Sequence, residues 1–337
     1  QELSSITCES YPGGSEIIRE SLKHRGVPPE SLDIVLASFA KNTISQYNSS
    51  LKAWWNFCIR NRINVYESSP TNVLIFLTEI FNSGCGYSSL NTYRSALSII
   101  LGKKVTTDDC ITRFLKGTYR LRPPRPKYDF TWDPLNVLNY LSSFFPYNNV
   151  SVADLVIKTV TLIALASAQR MQTLSLIKLK NIQFQQNSIL IKIPDLIKTS
   201  RPGTCQPLLN LPYIRESPQI CPALSVKSYI DKTKTLRGEQ SDDHLFISVR
   251  KPYKKVGSQT LGHWVKKALE ASGIDVGIFG AHSTRHASTS AAHSAGVNIE
   301  VVRKAAGWSD SSNVFLKYYK KDLLRPDANY VEAVFNI

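Results

Sequence analysis

Between Leu32 and Leu101 apolar side chains return at intervals of three and four. Ile34, Leu36 and Phe39 form one set, and Leu51, Trp54, Trp55 and Phe57 a second. Val73, Ile75, Phe76, Leu77 and Ile80 form a third, and Leu90, Tyr93, Leu97 and Ile100 a fourth. This period places each set on one face of an α-helix. The turn-forming runs Glu67-Ser-Ser-Pro70 and Ser83-Gly-Cys-Gly86 separate the later sets. The pattern predicts a bundle of about four or five short helices over residues 31–119. Residues 1–30 contain Ser, Gly and Pro with little periodicity, and read as a tail with at most one short helix.

The run Arg120-Leu-Arg-Pro-Pro-Arg-Pro-Lys127 interrupts the pattern. Its prolines forbid a helix and stiffen the backbone. Residues 120–131 therefore read as a basic linker, either a strap able to lie along phosphates or an ordinary solvated connection. After Trp132 helical periodicity resumes. Ile189-Leu-Ile-Lys-Ile193 alternates loosely, Gln206–Leu211 is a second extended run, and Lys198-Thr-Ser-Arg-Pro-Gly203 between them is rich in turn formers. These predict a β-hairpin in an otherwise helical domain. Gly257–Ser272 is an amphipathic helix built on Leu261, Trp264, Val265 and Leu269. Three more helices are expected beyond it, ended or separated by Gly296, Gly307 and Pro326. The fold expected is mostly α: a helical bundle, then an α+β domain over 132–337 with a small antiparallel sheet.

Charge changes the picture. The chain has 41 Lys and Arg against 26 Asp and Glu, a net +15. Up to Arg122 there are 14 basic and 10 acidic residues, and beyond it 27 and 16. A surplus concentrated in the second part points to a polyanion, with DNA or RNA as the usual case. Hydrophobic residues make up 42%, which excludes a largely disordered chain. Cys8, Cys58, Cys85, Cys110, Cys205 and Cys221 are scattered with no C-x-x-C pair. That argues against a zinc knuckle and fits an intracellular, reducing compartment. The most apolar stretch, Val156–Ala168, is too short to span a bilayer and contains Lys158. Neither a signal peptide nor a membrane partner is expected. The chain begins at Gln1 and its one methionine is Met171, so a piece of a longer product is expected.

Several residues carry candidate chemistry. Arg170 follows the apolar run Leu162-Ile-Ala-Leu-Ala-Ser-Ala-Gln. Taken alone it reads as half of a structural ion pair, because unpaired buried charge is costly. Lys198 alone is a surface lysine. His282, Arg285 and His286 fall on one helix face, and three cationic or donor groups there suit an anion. Trp308 offers one N–H donor but would by default be core. Of Tyr318 and Tyr319 at most one can face a site, since helical neighbours diverge by about 100°. Metal-free cleavage of a phosphodiester needs parts of these types. Two arginines would stabilise the charge that grows on the non-bridging oxygens. A lysine or histidine would protonate the leaving 5′-oxygen. A tyrosine would hold the severed end as an ester.

In this order, an arginine after an apolar helix, a lysine in a hairpin, H-x-x-R, G-W and a late tyrosine resemble the signature of the tyrosine recombinases. The resemblance covers roughly residues 32–325. Within that family the chain looks most similar to recombinases of DIRS-type retrotransposons. The stretches concerned are Ser167-Ala-Gln-Arg-Met-Gln-Thr-Leu174, Leu196-Ile-Lys-Thr-Ser-Arg-Pro-Gly203, Ala281-His-Ser-Thr-Arg285 and Lys304-Ala-Ala-Gly-Trp-Ser309, with Leu121-Arg-Pro-Pro124 in the linker. The resemblance implies that Arg170 and Arg285 clamp the scissile phosphate and that Lys198 protonates the leaving group. It implies that His282 assists proton movement and that Trp308 orients the phosphate or the nucleophile. Tyr319 is the favoured nucleophile, four residues after Phe315, with Tyr318 as the alternative. Two departures stand out. Thr173 occupies a position where many relatives are acidic, and the tyrosines follow Trp308 at a longer spacing than is common.

The implied protein is a site-specific recombinase of double-stranded DNA that uses no cofactor and no metal. It would act in the nucleus for a mobile element and assemble as a tetramer on paired sites. The helix at 257–272 is expected in the major groove through Gln259, His263 and Lys266. The first domain is expected to grip DNA through Lys41, Thr43, Gln46 and Arg94. The tail from Pro326, with Tyr330, Val331, Ala333, Val334 and Phe335, would pack either on a neighbouring protomer or on its own domain. Three rival readings remain: a non-cleaving DNA-binding descendant, a type IB topoisomerase, and a metal nuclease. The last is disfavoured because the catalytic stretches lack an acidic cluster.

Overall fold

In the computed structural model, residues 10–124, 128–237, 243–308 and 321–324 are described. The chain divides into two compact units, 1–126 and 127–337.

The first unit is entirely helical among its described residues. Its helices are α1 (Gly14–His24), α2 (Leu32–Ala37), α3 (Lys41–Asn61), α4 (Pro70–Asn82), α5 (Tyr87–Leu101), α6 (Lys103–Thr106) and α7 (Asp109–Leu121). The second, third and fourth periodic sets fall on α3, α4 and α5, which bury Trp54, Phe57, Phe76 and Leu97 in one core. Ile34 of the first set and Ile75 of the third, both expected on an apolar face, are instead exposed. The Trp54 ring lies 5.5 Å from Phe57 and 5.2 Å from Phe76. Its indole N–H finds the Val65 carbonyl at 3.0 Å, as a buried indole requires.

Two expectations are corrected here. Residues 14–24 are not a tail, because Ile17 and Ile18 are fully buried in the bundle core. Ser21 Oγ donates to the Ile100 carbonyl at 2.7 Å, and Asn48 Oδ1 accepts from the Gly14 amide at 2.8 Å. The segment from 120 is also shorter as a linker than expected. Arg120 and Leu121 complete α7, whose start is capped by the Asp108 carboxylate accepting from the Cys110 amide. Arg122 donates to the Phe81 and Cys85 carbonyls and stacks 3.8 Å from the Phe81 ring. That guanidinium closes the end of α4 and is not a free strap charge.

The second unit contains β1 (Phe130–Trp132), α8 (Pro134–Ser142), α9 (Val152–Ser167), α10 (Met171–Ser175), β2 (Ile182–Phe184), β3 (Ser188–Lys192), β4 (Leu208–Pro212), α11 (Pro222–Thr233), α12 (Ser258–Ala271), α13 (Ser283–Ser294), α14 (Ile299–Ala305) and β5 (Asp322–Leu324). The most apolar stretch of the sequence is α9. It is buried nearly all round because α11, α12 and α13 pack on it. The expected hairpin is β3–β4, in antiparallel register from Ser188–Pro212 to Lys192–Leu208, and β2 adds a third antiparallel strand. A separate parallel pair joins β1 to β5, with Phe130 opposite Asp322 and Trp132 opposite Leu324. Among the described residues no helix is long and apolar enough to cross a membrane.

Candidate active site

Helix α9 ends in a sharp turn. Ala168 takes the left-handed conformation at φ 50°, and the chain then runs extended through Arg170 into α10. The turn presents three consecutive residues in three directions. The Ala168 carbonyl accepts from Arg285 Nη1 at 2.6 Å. The buried Gln169 carboxamide donates to the Ala305 carbonyl at 2.9 Å. Half-buried Arg170 lines an open cleft of about 250 Å³ together with Met171, Gln172, Ser258, Gln259, Ala281, His282 and Thr284. Among the described residues Arg170 has no ion pair, so the structural-pair reading finds no partner there.

Helix α13 delivers the H-x-x-R motif at its first turn. His282 is its N-cap residue and keeps an exposed edge toward the cleft. Arg285, one turn on, is 1% exposed and is not among the lining side chains. Its guanidinium carbon lies 4.4 Å from the centre of the Trp308 ring. The helix start is fixed by Trp132 of β1, whose indole donates to Ser283 Oγ at 2.9 Å.

Trp308 is set by the end of α14. Gly307 adopts φ 65°, the Gly307 amide donates to the Lys304 carbonyl, and the Trp308 amide donates to the Arg303 carbonyl at 2.9 Å. This is a Schellman stop, which favours glycine because a left-handed residue with a Cβ is disfavoured. Trp308 then packs with Ala168, Val302 and Ala306. Gln169 therefore joins the Arg170 turn directly to the helix that positions Trp308. No sequence signal marks that role, since a lone glutamine after an apolar run has no characteristic spacing.

Lys198 is exposed in the loop between β3 and β4. That loop is internally braced. Ser200 Oγ accepts from the Ile197 amide at 2.9 Å and donates to Gln206, while Thr204 Oγ1 accepts from the Arg201 amide.

Electrostatically these elements meet at His282. Crowding strips hydration from its ring, and the charges of Arg285, Arg170 and Lys198 add to that, so its pKa is pushed down to about 4. His286, one turn further along α13, is lowered to about 4 by burial, then by His282, Lys321 and Arg285. It stacks edge-on to Tyr128 at 5.6 Å and to His282 at 5.7 Å. Both rings are neutral at pH 7 and able to accept a proton. Among the described residues no three His, Cys, Asp or Glu side chains gather as metal ligands.

Of the sequence-predicted site residues, Arg170, His282 and Gln259 line the cleft, and Arg285 and Trp308 stack beside it. Lys198 acts on His282 by its charge. His263 and Lys266 are exposed on α12 with Gln259, opposite buried Leu261 and Leu269. In the first unit Lys41, Thr43 and Gln46 occupy the start of α3. Arg94 on α5 donates to Asn91 Oδ1 at 3.0 Å. Thr173 is buried in α10. Phe315, Tyr318, Tyr319 and the tail from Pro326 lie outside the described residues. The chain resumes at Lys321, whose amide donates to Ser290 Oγ of α13 at 3.1 Å.

Residues 137–324 match the phage integrase family. Sequence comparison with characterised proteins finds no match. Several solved structures share the fold. XerH site-specific recombinase in a post-cleavage complex with a palindromic difH substrate aligns over 96% of this chain and 94% of its own, with TM-score 0.61 and 14% identity. The Tn1549 transposon integrase in complex with transposon right end DNA aligns over 91% and 94%, with TM-score 0.57 and 15% identity. A lambda integrase (75–356) dimer bound to a COC′ core site aligns over 90% and 95%, with TM-score 0.52 and 17% identity.

Proposed function

The chain belongs to the phage integrase family, and we propose that it cuts and rejoins double-stranded DNA through a 3′-phosphotyrosine, without a metal or cofactor. The observation that carries this reading is the cleft at the α9–α10 turn, where the charges of Arg170, Arg285 and Lys198 converge on His282. A phosphodiester is the anion such a set would hold. Arg170 reaches it from the cleft wall. Arg285, held by the Ala168 carbonyl and the Trp308 face, directs a rigid guanidinium to the same region, and both stabilise the charge that grows in the transition state. Lys198, on its exposed loop, protonates the leaving 5′-oxygen. Neutral His282 takes the proton released by the attacking phenol, which we assign to Tyr319.

In this reading α12 enters the major groove through Gln259, His263 and Lys266. The first unit grips the duplex through Lys41, Thr43, Gln46 and Arg94. The protein assembles as a tetramer on paired sites, in the nucleus, to integrate a mobile element of the DIRS type. The support for that origin is the run of matching stretches around Arg170, Lys198, Arg285 and Trp308. Support for DNA as substrate comes from structural neighbours solved with a difH substrate and a transposon end.

The test is incubation with nicked duplexes carrying candidate sites, followed by denaturing electrophoresis. A covalent protein–DNA adduct that forms in chelator and is lost in Tyr319→Phe is the expected result. DNA binding with no adduct on any site would favour a non-cleaving descendant. Relaxation of supercoils without strand exchange would favour a topoisomerase.

A further inference from the structure

We propose that the hairpin carrying Arg250, Lys251, Lys254 and Lys255 is a second DNA-binding surface of the catalytic unit, holding backbone phosphates next to the one bound in the cleft. The proposal rests on the DNA-cutting reading and adds a surface to it.

The hairpin is a built structure. Ile247 pairs with Lys255, the Ser248 amide donates to the Lys254 carbonyl at 2.8 Å, and the Tyr253 amide donates to the Arg250 carbonyl at 3.0 Å. Ser248 Oγ also donates to the Arg250 carbonyl at 2.8 Å. Phe246 and Ile247 are buried, and Val249 and Val256 pack on the core. Those anchors leave the four cations pointing outward, all exposed. Arg250, Lys251 and Lys254 have no ion pair among the described residues. No acidic residue lies between Ile247 and Gln259. Four like charges repel one another, so a short turn that displays them together gains most when a polyanion neutralises them.

Position decides which polyanion. The hairpin leads directly into α12, whose first residues Ser258 and Gln259 line the cleft with Arg170 and His282. Three residue steps separate Lys255 from Ser258, a Cα reach of at most about 11 Å. One DNA strand advances about 3.4 Å along its axis per phosphate. The hairpin can therefore meet phosphates only a few nucleotides from any phosphate in the cleft. Its grip would be independent of sequence, fixing register while Gln259 faces the bases.

The experiment measures binding of a fluorescein-labelled 30-base-pair duplex of arbitrary sequence by anisotropy across 50–300 mM salt. The full chain is compared with a variant carrying Arg250→Gln, Lys251→Gln, Lys254→Gln and Lys255→Gln. A control variant carries Lys180→Gln, Arg215→Gln, Lys227→Gln and Lys234→Gln, which removes equal charge from exposed positions elsewhere in the same unit. Every phosphate that the protein ceases to neutralise lowers the steepness of log K against log salt by about 0.9. The steepness should fall by about 2 to 4 in the hairpin variant and by less than about 1 in the control, with unchanged circular dichroism in both. An equal fall in the two variants would mean a diffuse field and overturn the proposal, as would an unchanged slope in the hairpin variant. So would weakened binding confined to single-stranded RNA. If the unaltered chain itself shows no salt-dependent duplex binding, the DNA-cutting reading fails with it.

Discussion

Arg285 holds two neighbours at once, the Ala168 carbonyl through Nη1 and the Trp308 face through its planar cation. Lysine carries the same charge but lacks the planar fork. Arg285→Lys should therefore keep DNA affinity within a few-fold while adduct formation on nicked duplex falls by about 10²-fold or more. Arg170→Ala should behave likewise, since one transition-state donor contributes on the order of 3 kcal/mol. Normal adduct rates in either variant would remove that arginine from the site. His282 offers a test by titration. In the free protein it should protonate near pH 4, because crowding and three cations oppose its charge. A phosphate in the cleft partly cancels those cations, so the value should rise when duplex is bound. Histidine ¹⁵N chemical shifts with and without DNA would report both states. An ordinary value near 6.5 in the free protein would show that the cations do not converge as described. For the nucleophile, Tyr319→Phe should abolish the adduct with binding intact, and Tyr318→Phe should retain it. The reverse pattern would transfer the role to Tyr318, and an adduct in both variants would defeat the tyrosine assignment.

The turn from Ala168 to Arg170 and the stop at Gly307 act together, because Gln169 bonds the carbonyl of Ala305 just before that stop. Replacing Gln169 with leucine keeps most of the volume and leaves a buried carbonyl without this donor, a cost of about 1–3 kcal/mol. The stronger expectation concerns chemistry. Cleavage in Gln169→Leu should fall more than duplex affinity, because Arg170 and Trp308 lose their shared brace. Parallel loss of affinity, cleavage and melting temperature would reduce the residue to ordinary packing. Gly307→Ala should cost about 1 kcal/mol through its left-handed backbone. The H-x-x-R and Gly-Trp motifs were legible because each combines rare residue types at fixed spacing on one short element. Helices α3, α4 and α5 were legible because three or more turns repeat the apolar period. Helix α1 was not, because Ile17, Ile18, Ser21 and Leu22 span barely more than one turn and Ser21 contributes by a hydrogen bond. Helix α7 buries Ile111, Leu115 and Thr118 and packs half-buried Phe114 beside them, a short stripe next to the basic run that drew the linker reading. Strand β2 has three residues, too few for alternation to show. The β1–β5 pair joins segments far apart in the chain, and nothing local records which strand will be its partner. Gln169 was invisible for the same reason, since its partner is 136 residues away.

At the scale of the whole molecule, the second unit holds three bases whose pKa values burial pushes far down: His282, His286 and Lys158. Lys158 sits within α9 with no exposed surface, its ammonium donating to the Phe144 carbonyl at 2.7 Å and facing the Tyr147 ring at 4.6 Å. Loss of hydration lowers its pKa from 10.5 to about 8. When a base has a lower pKa folded than unfolded, the unfolded chain binds more protons between the two values, and stability rises with pH across that interval. For the histidines the interval is about 4 to 6.5, so acidification through it should destabilise the protein. For Lys158 it is about 8 to 10.5, so at pH 7 the fold carries the full cost of a buried ammonium and sheds it on moving to alkali. That cost is on the order of 3 kcal/mol if converted at about 1.36 kcal/mol per pH unit, before allowing for its hydrogen bond and ring contact. Lys158→Met fills the same space without the charge. Chemical denaturation should find it neutral or more stable by about 1–3 kcal/mol at pH 7, with the difference from the unaltered chain shrinking between about pH 8 and 10.5. Destabilisation at pH 7 that persists undiminished to about pH 10.5 would instead mean that the bond to Phe144 outweighs the burial of charge. In that case Lys158 would be a clamp on the end of α8 and not a tolerated cost inside α9.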